Sequence, residues 1–203
     1  MESNPTQRKV VLYELLSLDG VAEEPGDWMT DSGPKLFANL ERTIQTQDDV
    51  LLGRGTFDYW VGYWPTSEVE PFASFINATP KHVFTSTEPE ERWENTTVVT
   101  ASAVDYVERL KEGPGRDIGI HGSILLTQSL LRARLVDELR LVIAPRLAGR
   151  GRRLFADSDI REDLDLVDVE RSDTGTLFLG YRPKDARNRL TRGRKSDSER
   201  ESR

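Results

Sequence analysis

Leu51-Leu52-Gly53-Arg54-Gly55-Thr56-Phe57 is the stretch on which the fold turns. It closes Asp49-Val50-Leu51-Leu52-Gly53, an apolar run of the kind buried on both faces of a parallel sheet. Where that strand ends, two glycines, an arginine and a threonine follow at once. In an open α/β sheet, ligands collect outside the carboxyl ends of the strands. Glycine there lets a ligand reach backbone N–H groups, and a following helix N-terminus favours phosphate. Gly53, Arg54 and Thr56 are therefore candidate binding residues, offering bare backbone, a planar guanidinium fork and a hydroxyl.

The same grammar recurs twice downstream. A strand over 81–86 runs into Thr85-Ser86-Thr87, and a strand over 117–121 runs into Gly122-Ser123 with Ile124 opening the next helix. Thr85, Ser86, Gly122, Ser123 and Ile124 join the candidate set. Upstream, Val10-Val11-Leu12-Tyr13-Glu14-Leu15-Leu16 is a nearly continuous apolar run ended by Ser17-Leu18-Asp19-Gly20. Pro34 suits the first turn of a helix that Ser32 could cap, with Leu36, Phe37, Leu40 and Ile44 as its apolar stripe. A short helix is expected over 69–77. Ser102-Ala103-Val104-Asp105 is a capping-box variant, and Gly113-Pro114-Gly115 stops the helix that it begins. Another helix follows from Ile124.

After residue 135 the alternation ends. A strand over 138–144 is followed by a Gly/Arg-rich loop, and 164–172 and 176–182 flank Asp173-Thr174-Gly175 as a hairpin. Alternating strands and helices imply a parallel sheet, and a closing hairpin implies antiparallel strands at one edge. The reading is one α/β domain over residues 1–183, with a mixed, mostly parallel sheet flanked by helices.

Composition narrows the function classes. The chain has 203 residues, no cysteine and two histidines, so thiolate chemistry is excluded and a metal centre is not expected. No apolar run is long enough to span a bilayer, and the polar N-terminus lacks a signal-peptide pattern, so a cytoplasmic protein is expected. The net charge of −7 is uneven: residues 184–203 hold eight Lys/Arg against four acidic residues, a net of +4, which leaves −11 on residues 1–183. An acidic body repels nucleic acid, so no nucleic-acid partner is expected unless the tail supplies one. That tail has Leu190 as its one aliphatic residue beyond alanine, too little to order itself.

The glycine turns carry a resemblance. Residues 51–57 resemble the strand-to-helix turn of the dihydrofolate reductase superfamily, and Ser17-Leu18-Asp19-Gly20-Val21 its first strand and substrate loop. Ile118-Gly119-Ile120-His121-Gly122-Ser123 is similar to its later glycine turn, with His in place of the usual first Gly. Residues 135–141, Ala144-Pro145 and Gly149-Arg150-Gly151-Arg152-Arg153-Leu154-Phe155 are similar to one branch, the reductase domain of bacterial riboflavin biosynthesis and its single-domain relatives. The likeness covers about residues 9–182. It implies a dihydrofolate-reductase-like fold and a homodimer. It also implies NADPH at Gly53, Arg54, Thr56, Thr85, Ser86, Gly122, Ser123 and Ile124, with hydride passing to a small, heterocyclic substrate. The narrower expectation is a 5-amino-6-(5-phosphoribosylamino)uracil reductase-like reaction. A non-catalytic NADPH- or flavin-binding protein is the alternative.

The departures are as informative. Dihydrofolate reductases carry a carboxylate on their first helix, and the corresponding position here falls near Phe37. A phenyl ring neither anchors a charged pteridine nor helps protonate it, so folate reduction is not expected and no evident general acid remains. Asp19 and Asp31 are the weak candidates, with loop anchoring the commoner role for Asp19 and helix capping or solvation for Asp31. Trp28, in the loop expected to cover the nicotinamide, and Asp31 are the substrate-binding candidates. Trp28, Tyr59, Trp60, Tyr63 and Trp64 could line a flat-ring pocket, although packing is the commoner use. His121 at a strand end reads as structural.

Overall fold

The computed structural model describes residues 8–30, 33–155 and 160–184. Asp31, Ser32 and residues 185–203, on which expectations were placed, lie outside the described residues. The described chain runs β1 (Val10–Ser17), α1 (Pro25–Trp28), α2 (Pro34–Ile44), β2 (Gln47–Gly53), α3 (Arg54–Val61), α4 (Phe72–Ala78), β3 (Lys81–Phe84), β4 (Thr96–Val99), α5 (Ala103–Glu112), β5 (Asp117–His121), α6 (Ile124–Arg132), β6 (Glu138–Ala144), β7 (Leu164–Arg171) and β8 (Leu177–Pro183). The strands form one sheet in the order β4-β3-β2-β5-β1-β6-β8-β7. From β4 to β6 every pair is parallel; β6–β8 and β7–β8 are antiparallel.

The central strands β1, β2 and β5 are apolar over most of their buried length because helices cover both of their faces. One face joins Leu12, Leu16, Leu51, Ile118 and Ile120 to Val107 of α5 and Ile124, Leu126, Leu130 and Leu131 of α6. The other joins Val50, Leu52 and Val83 to Ile44, Phe57, Phe72 and Ile76 of α2, α3 and α4. Trp60, Trp64 and Phe72 meet edge to face at 4.8–5.9 Å between centroids, so part of the aromatic cluster is packing.

Local signals set most of the element ends. Ser102 caps α5, accepting the Asp105 N–H at 3.4 Å. The N-cap of α2 is Gly33, with Pro34 opening the helix. Thr96–Val99 was not anticipated: it is four residues long, and Val99 is its one buried residue, so no alternation shows. Lys81, fully buried at the start of β3, donates to the Ile76 and Thr79 carbonyls at 2.8 and 2.9 Å and so satisfies the end of α4. Its burial pulls its pKa down to about 8. At the amino ends of the same strands, Asp49 accepts from Arg8 and pairs with His82 at 2.7 Å, while the Tyr106 hydroxyl meets the other nitrogen of His82 at 2.8 Å. This polar cluster lies at the opposite end of the sheet from the glycine turns.

Candidate active site

The carboxyl ends of β1, β2, β3 and β5 border a cleft of about 550 Å3. Gly53, Arg54, Gly55, Thr56, Tyr59 and Trp60 form one wall and Gly122, Ser123, Ile124, Leu125 and Leu126 another. Ala22, Glu23, Glu24, Pro25 and Arg152 close it from the loops. Two helix N-termini, those of α3 and α6, thus meet at the same opening. Neither has a side-chain cap, so their first N–H groups remain available to an anion. Gly122 takes φ +73°, and a Cβ there would lie 3.5 Å from Trp60 and 3.7 Å from Thr56. The backbone therefore stands open at the point where the two walls approach.

The candidate residues divide by what they touch. Ser123 is 4% exposed, and its hydroxyl is already engaged: Oγ accepts the Gly53 N–H at 2.9 Å and donates to Thr56 Oγ1 at 3.0 Å. It holds the two helix starts together, contrary to the expectation of a free phosphate donor, and leaves the Thr56 hydroxyl proton available. Arg54 is half-buried. Its Nε donates to both Asp58 oxygens at 2.7 and 2.8 Å, and its Nη1 reaches Thr87 O and Oγ1 at 3.0 Å and Thr85 Oγ1 at 3.4 Å. Arg54 thus lies against the Thr85–Thr87 turn, with Asp58 as a counter-charge that the sequence did not indicate. Thr85 and Ser86 lie outside the cleft lining, and Ser86 is exposed.

Asp19 is engaged as an acceptor. It accepts from the Ser17 hydroxyl at 2.7 Å and from the Ala148 and Gly149 N–H groups at 2.9 Å each. These donors, Ser17 first and Ala148 next, hold its carboxyl far below the usual carboxylate range. It is an anchor that ties the 146–153 loop to the end of β1, alongside the Leu18 N–H to Arg146 O bond and the Val21–Arg153 bridge. Trp28 is 5% exposed with its indole N–H on Glu23 O at 2.9 Å, and it lies outside the cleft lining. It supports the loop that carries Glu23 rather than the cleft surface. His121 is buried against Phe72, Phe75 and Tyr13 and bonded to Gln47 at 2.8 Å; burial takes its pKa down to about 3, so it is a neutral structural histidine. Phe37 is half-buried on α2, away from the cleft.

One residue the sequence reading passed over stands out. Glu14 lies in the apolar run of β1, opposite Leu141 of β6, and lines the cleft at only 4% exposure. Strand alternation places it on the face of Leu12 and Leu16. Its Oε2 is buried without a hydrogen-bond partner. Burial pushes its pKa up to about 8, with the Leu15 backbone N–H opposing. A buried, unsatisfied carboxyl oxygen costs about 1–3 kcal/mol, and among the described residues no cation is paired with this carboxyl to offset it. A glutamate interrupting an otherwise apolar central strand was the available signal.

Among the described residues no group of three or more His, Asp or Glu side chains could hold a metal ion, and no helix is long and apolar enough to cross a membrane. The chain is 30% identical over 189 residues to the uncharacterized protein YyaP of Bacillus subtilis strain 168, covering 89% of this chain and 98% of that one. A Shewanella sp. PV-4 structure, whose name refers to riboflavin biosynthesis, matches 87% of this chain and 99% of its own at TM-score 0.73 and 19% identity. Dihydrofolate reductase from Enterococcus faecalis, complexed with NADP(H), matches 88% and 98% at TM-score 0.61 and 18% identity. These two likenesses agree with the dihydrofolate-reductase-like architecture. The RibD C-terminal domain family profile covers residues 8–178, and with the parallel sheet, the two glycine turns and the closing hairpin in place, the chain belongs to that reductase family.

Proposed function

We propose that this protein is an NADPH-dependent reductase that passes hydride to a small heterocyclic substrate. The observation that carries this reading is the meeting of two uncapped helix N-termini at one cleft, with bare backbone at Gly55 and Gly122 and Arg54 beside them. Those residues fit a pyrophosphate: the N–H groups supply neutral donors, Arg54 supplies the charge, and no side chain at Gly122 blocks approach. Bound there, NADPH would supply hydride chemistry, and the protein's share would be to orient the substrate and exclude water. Ser123 and Gly53 keep the phosphate wall in register, and Asp19 keeps the 146–153 loop, with Arg152, over the far side.

A reaction like that of 5-amino-6-(5-phosphoribosylamino)uracil reductase is the narrower form of the proposal. Arg152, 60% exposed at the cleft rim and paired with Glu23, is the cation that would meet a substrate phosphate. The proposal includes a cytoplasmic homodimer. Its support is β7, an edge strand with Leu166, Val167 and Val169 exposed, an apolar edge that a second copy would cover. Sedimentation equilibrium tests that part. Calorimetric titration with NADPH, NADH and flavin mononucleotide tests the cofactor, and a panel of pyrimidine and pteridine acceptors followed by NADPH absorbance tests turnover. Tight flavin binding with no NADPH binding would instead favour a flavin-binding protein.

A further inference from the structure

The carboxyl of Glu14 is a buried group in the cleft that neither the fold nor the proposed cofactor site uses. It is buried within β1, on the floor between the two glycine walls, and its Oε2 has no partner among the described residues. The charged groups facing the cleft come from three other places. Glu23 and Glu24 come from the loop after β1, Arg54 from α3, and Arg152 from the 146–153 loop. Arg152 is paired with Glu23 and Arg54 with Asp58. Tyr59 adds an exposed phenol from α3. The β5 and α6 residues in the cleft carry no titratable side chain, and His121 turns its ring to the opposite face, against Tyr13 and Gln47. The β6 partner opposite Glu14 is Leu141. No cation is paired with the carboxyl, and burial favours its neutral, proton-bearing form at neutral pH.

We propose that Glu14 is the proton donor of this protein, delivering from the cleft floor the proton that accompanies hydride transfer. The proposal rests on the NADPH-reductase reading. In the step, the π bond of a C=N or C=O group breaks; its carbon receives hydride from the reduced nicotinamide, and its nitrogen or oxygen receives the Glu14 proton. The substrate is reduced, the nicotinamide is oxidised, and the Glu14 carboxylate recovers a proton from water through the open cleft. Charge balance favours the pairing: NADPH held in this cleft would supply hydride and be left positive, and that charge would offset the negative one that proton loss leaves on Glu14. The substrate class follows. Its reacting group is a neutral imine or carbonyl, since the floor offers an acid and no fixed ion.

Cofactor binding alone tests this, without a known substrate. A positive nicotinamide next to Glu14 lowers its pKa, whereas a neutral one does not. Calorimetry in Mops and in Tris at about pH 7.5 counts protons released on binding NADP+ and NADPH. The expected result is release of about half a proton or more with NADP+, much less with NADPH, and neither difference in E14Q. Infrared difference spectra of the wild type against E14Q should show a protonated carboxyl at neutral pH that disappears on titration through about pH 8. Should E14Q fail to fold, E14D must move both the band and the proton release to a different pH. No protonated band at neutral pH, or equal proton release in wild type and variant, overturns the proposal. Failure of the wild type to bind either nucleotide removes the reductase reading and this proposal with it, whereas binding without a Glu14-dependent proton removes this proposal alone.

Discussion

Glu14 and Asp19 lie on one strand and the loop that ends it, yet their carboxyls are driven in opposite directions. Burial without a partner pushes Glu14 up to about 8, whereas the Ser17 hydroxyl and the Ala148 and Gly149 N–H groups hold Asp19 far down. One becomes a neutral acid and the other a fixed anion. Environments that separate two carboxyl groups in this way assign them different roles.

Stability should record the Glu14 side of that division. Between about pH 4.5 and 8 the folded protein keeps the Glu14 proton while the unfolded chain loses it. The folded state then binds more protons, so this group's contribution falls by about 1.4 kcal/mol for each pH unit in that window. Below the window both states are protonated and the effect vanishes. Urea unfolding of E14Q and wild type should therefore show a gap, in favour of E14Q, that widens by a few kcal/mol from about pH 5 to pH 8. A gap independent of pH would mean that Glu14 is ionised in the fold.

Removing the Asp19 anchor should loosen one loop and spare the sheet. Asp19→Ala deprives the Ala148 and Gly149 N–H groups of their acceptor. Amide exchange at those two positions is expected to rise about ten-fold or more, with the central strands unchanged. Uniform acceleration across β1, β5 and β6 would show that Asp19 supports the whole fold.

Ser123→Ala leaves the Gly53 N–H and the Thr56 hydroxyl without their partner. The expected loss is about 1–3 kcal/mol, or roughly 2–10 °C in melting temperature for a domain of this size. NADPH affinity should fall with it, because the two helix starts lose their registration. A variant as stable as wild type that binds NADPH equally well would show the bridge to be incidental.

NADPH is expected to bind more tightly than NADH through Arg54 and the Thr85–Thr87 turn that it reaches. A charge-assisted hydrogen bond contributes roughly 1.5–3 kcal/mol, about 10- to 150-fold in affinity. Arg54→Ala should abolish the preference, with NADPH affinity falling further than NADH affinity. Equal affinity for the two cofactors in the wild type would remove the assignment.

Truncation after Lys184 should leave both melting temperature and NADPH affinity unchanged. Strand β8 ends at Pro183, and Lys184 closes it by donating its N–H to Asp163 O at 2.9 Å. Beyond that point the sequence is basic and has almost no apolar anchor to offset the entropy of ordering. A truncated protein melting several degrees lower even in high salt would place residues 185–203 within the domain.

The sequence by itself determined the architecture. Apolar runs at 10–16 and 49–53, each closed by small residues, can sit only in the middle of a sheet covered on both faces, and the 173–175 turn between two strands can only make an antiparallel edge. It also located the wall of the cleft, because a glycine after a buried strand advertises open backbone locally. What it could not give were the relationships that cross the chain. Nothing near Ser123 in sequence indicates that its hydroxyl belongs to Gly53 and Thr56, and nothing near Asp19 points to Ala148. Thr96–Val99 was hidden because a four-residue edge strand with one buried side chain has no pattern to read. Glu14 was hidden for the opposite reason: inside an apolar run, one glutamate looks like an outward-facing exception. Only the pairing of β1 between β5 and β6, with α6 over its face, turns that side chain inward and strips it of water, and desolvation is a property of the assembled fold rather than of any neighbour in the chain.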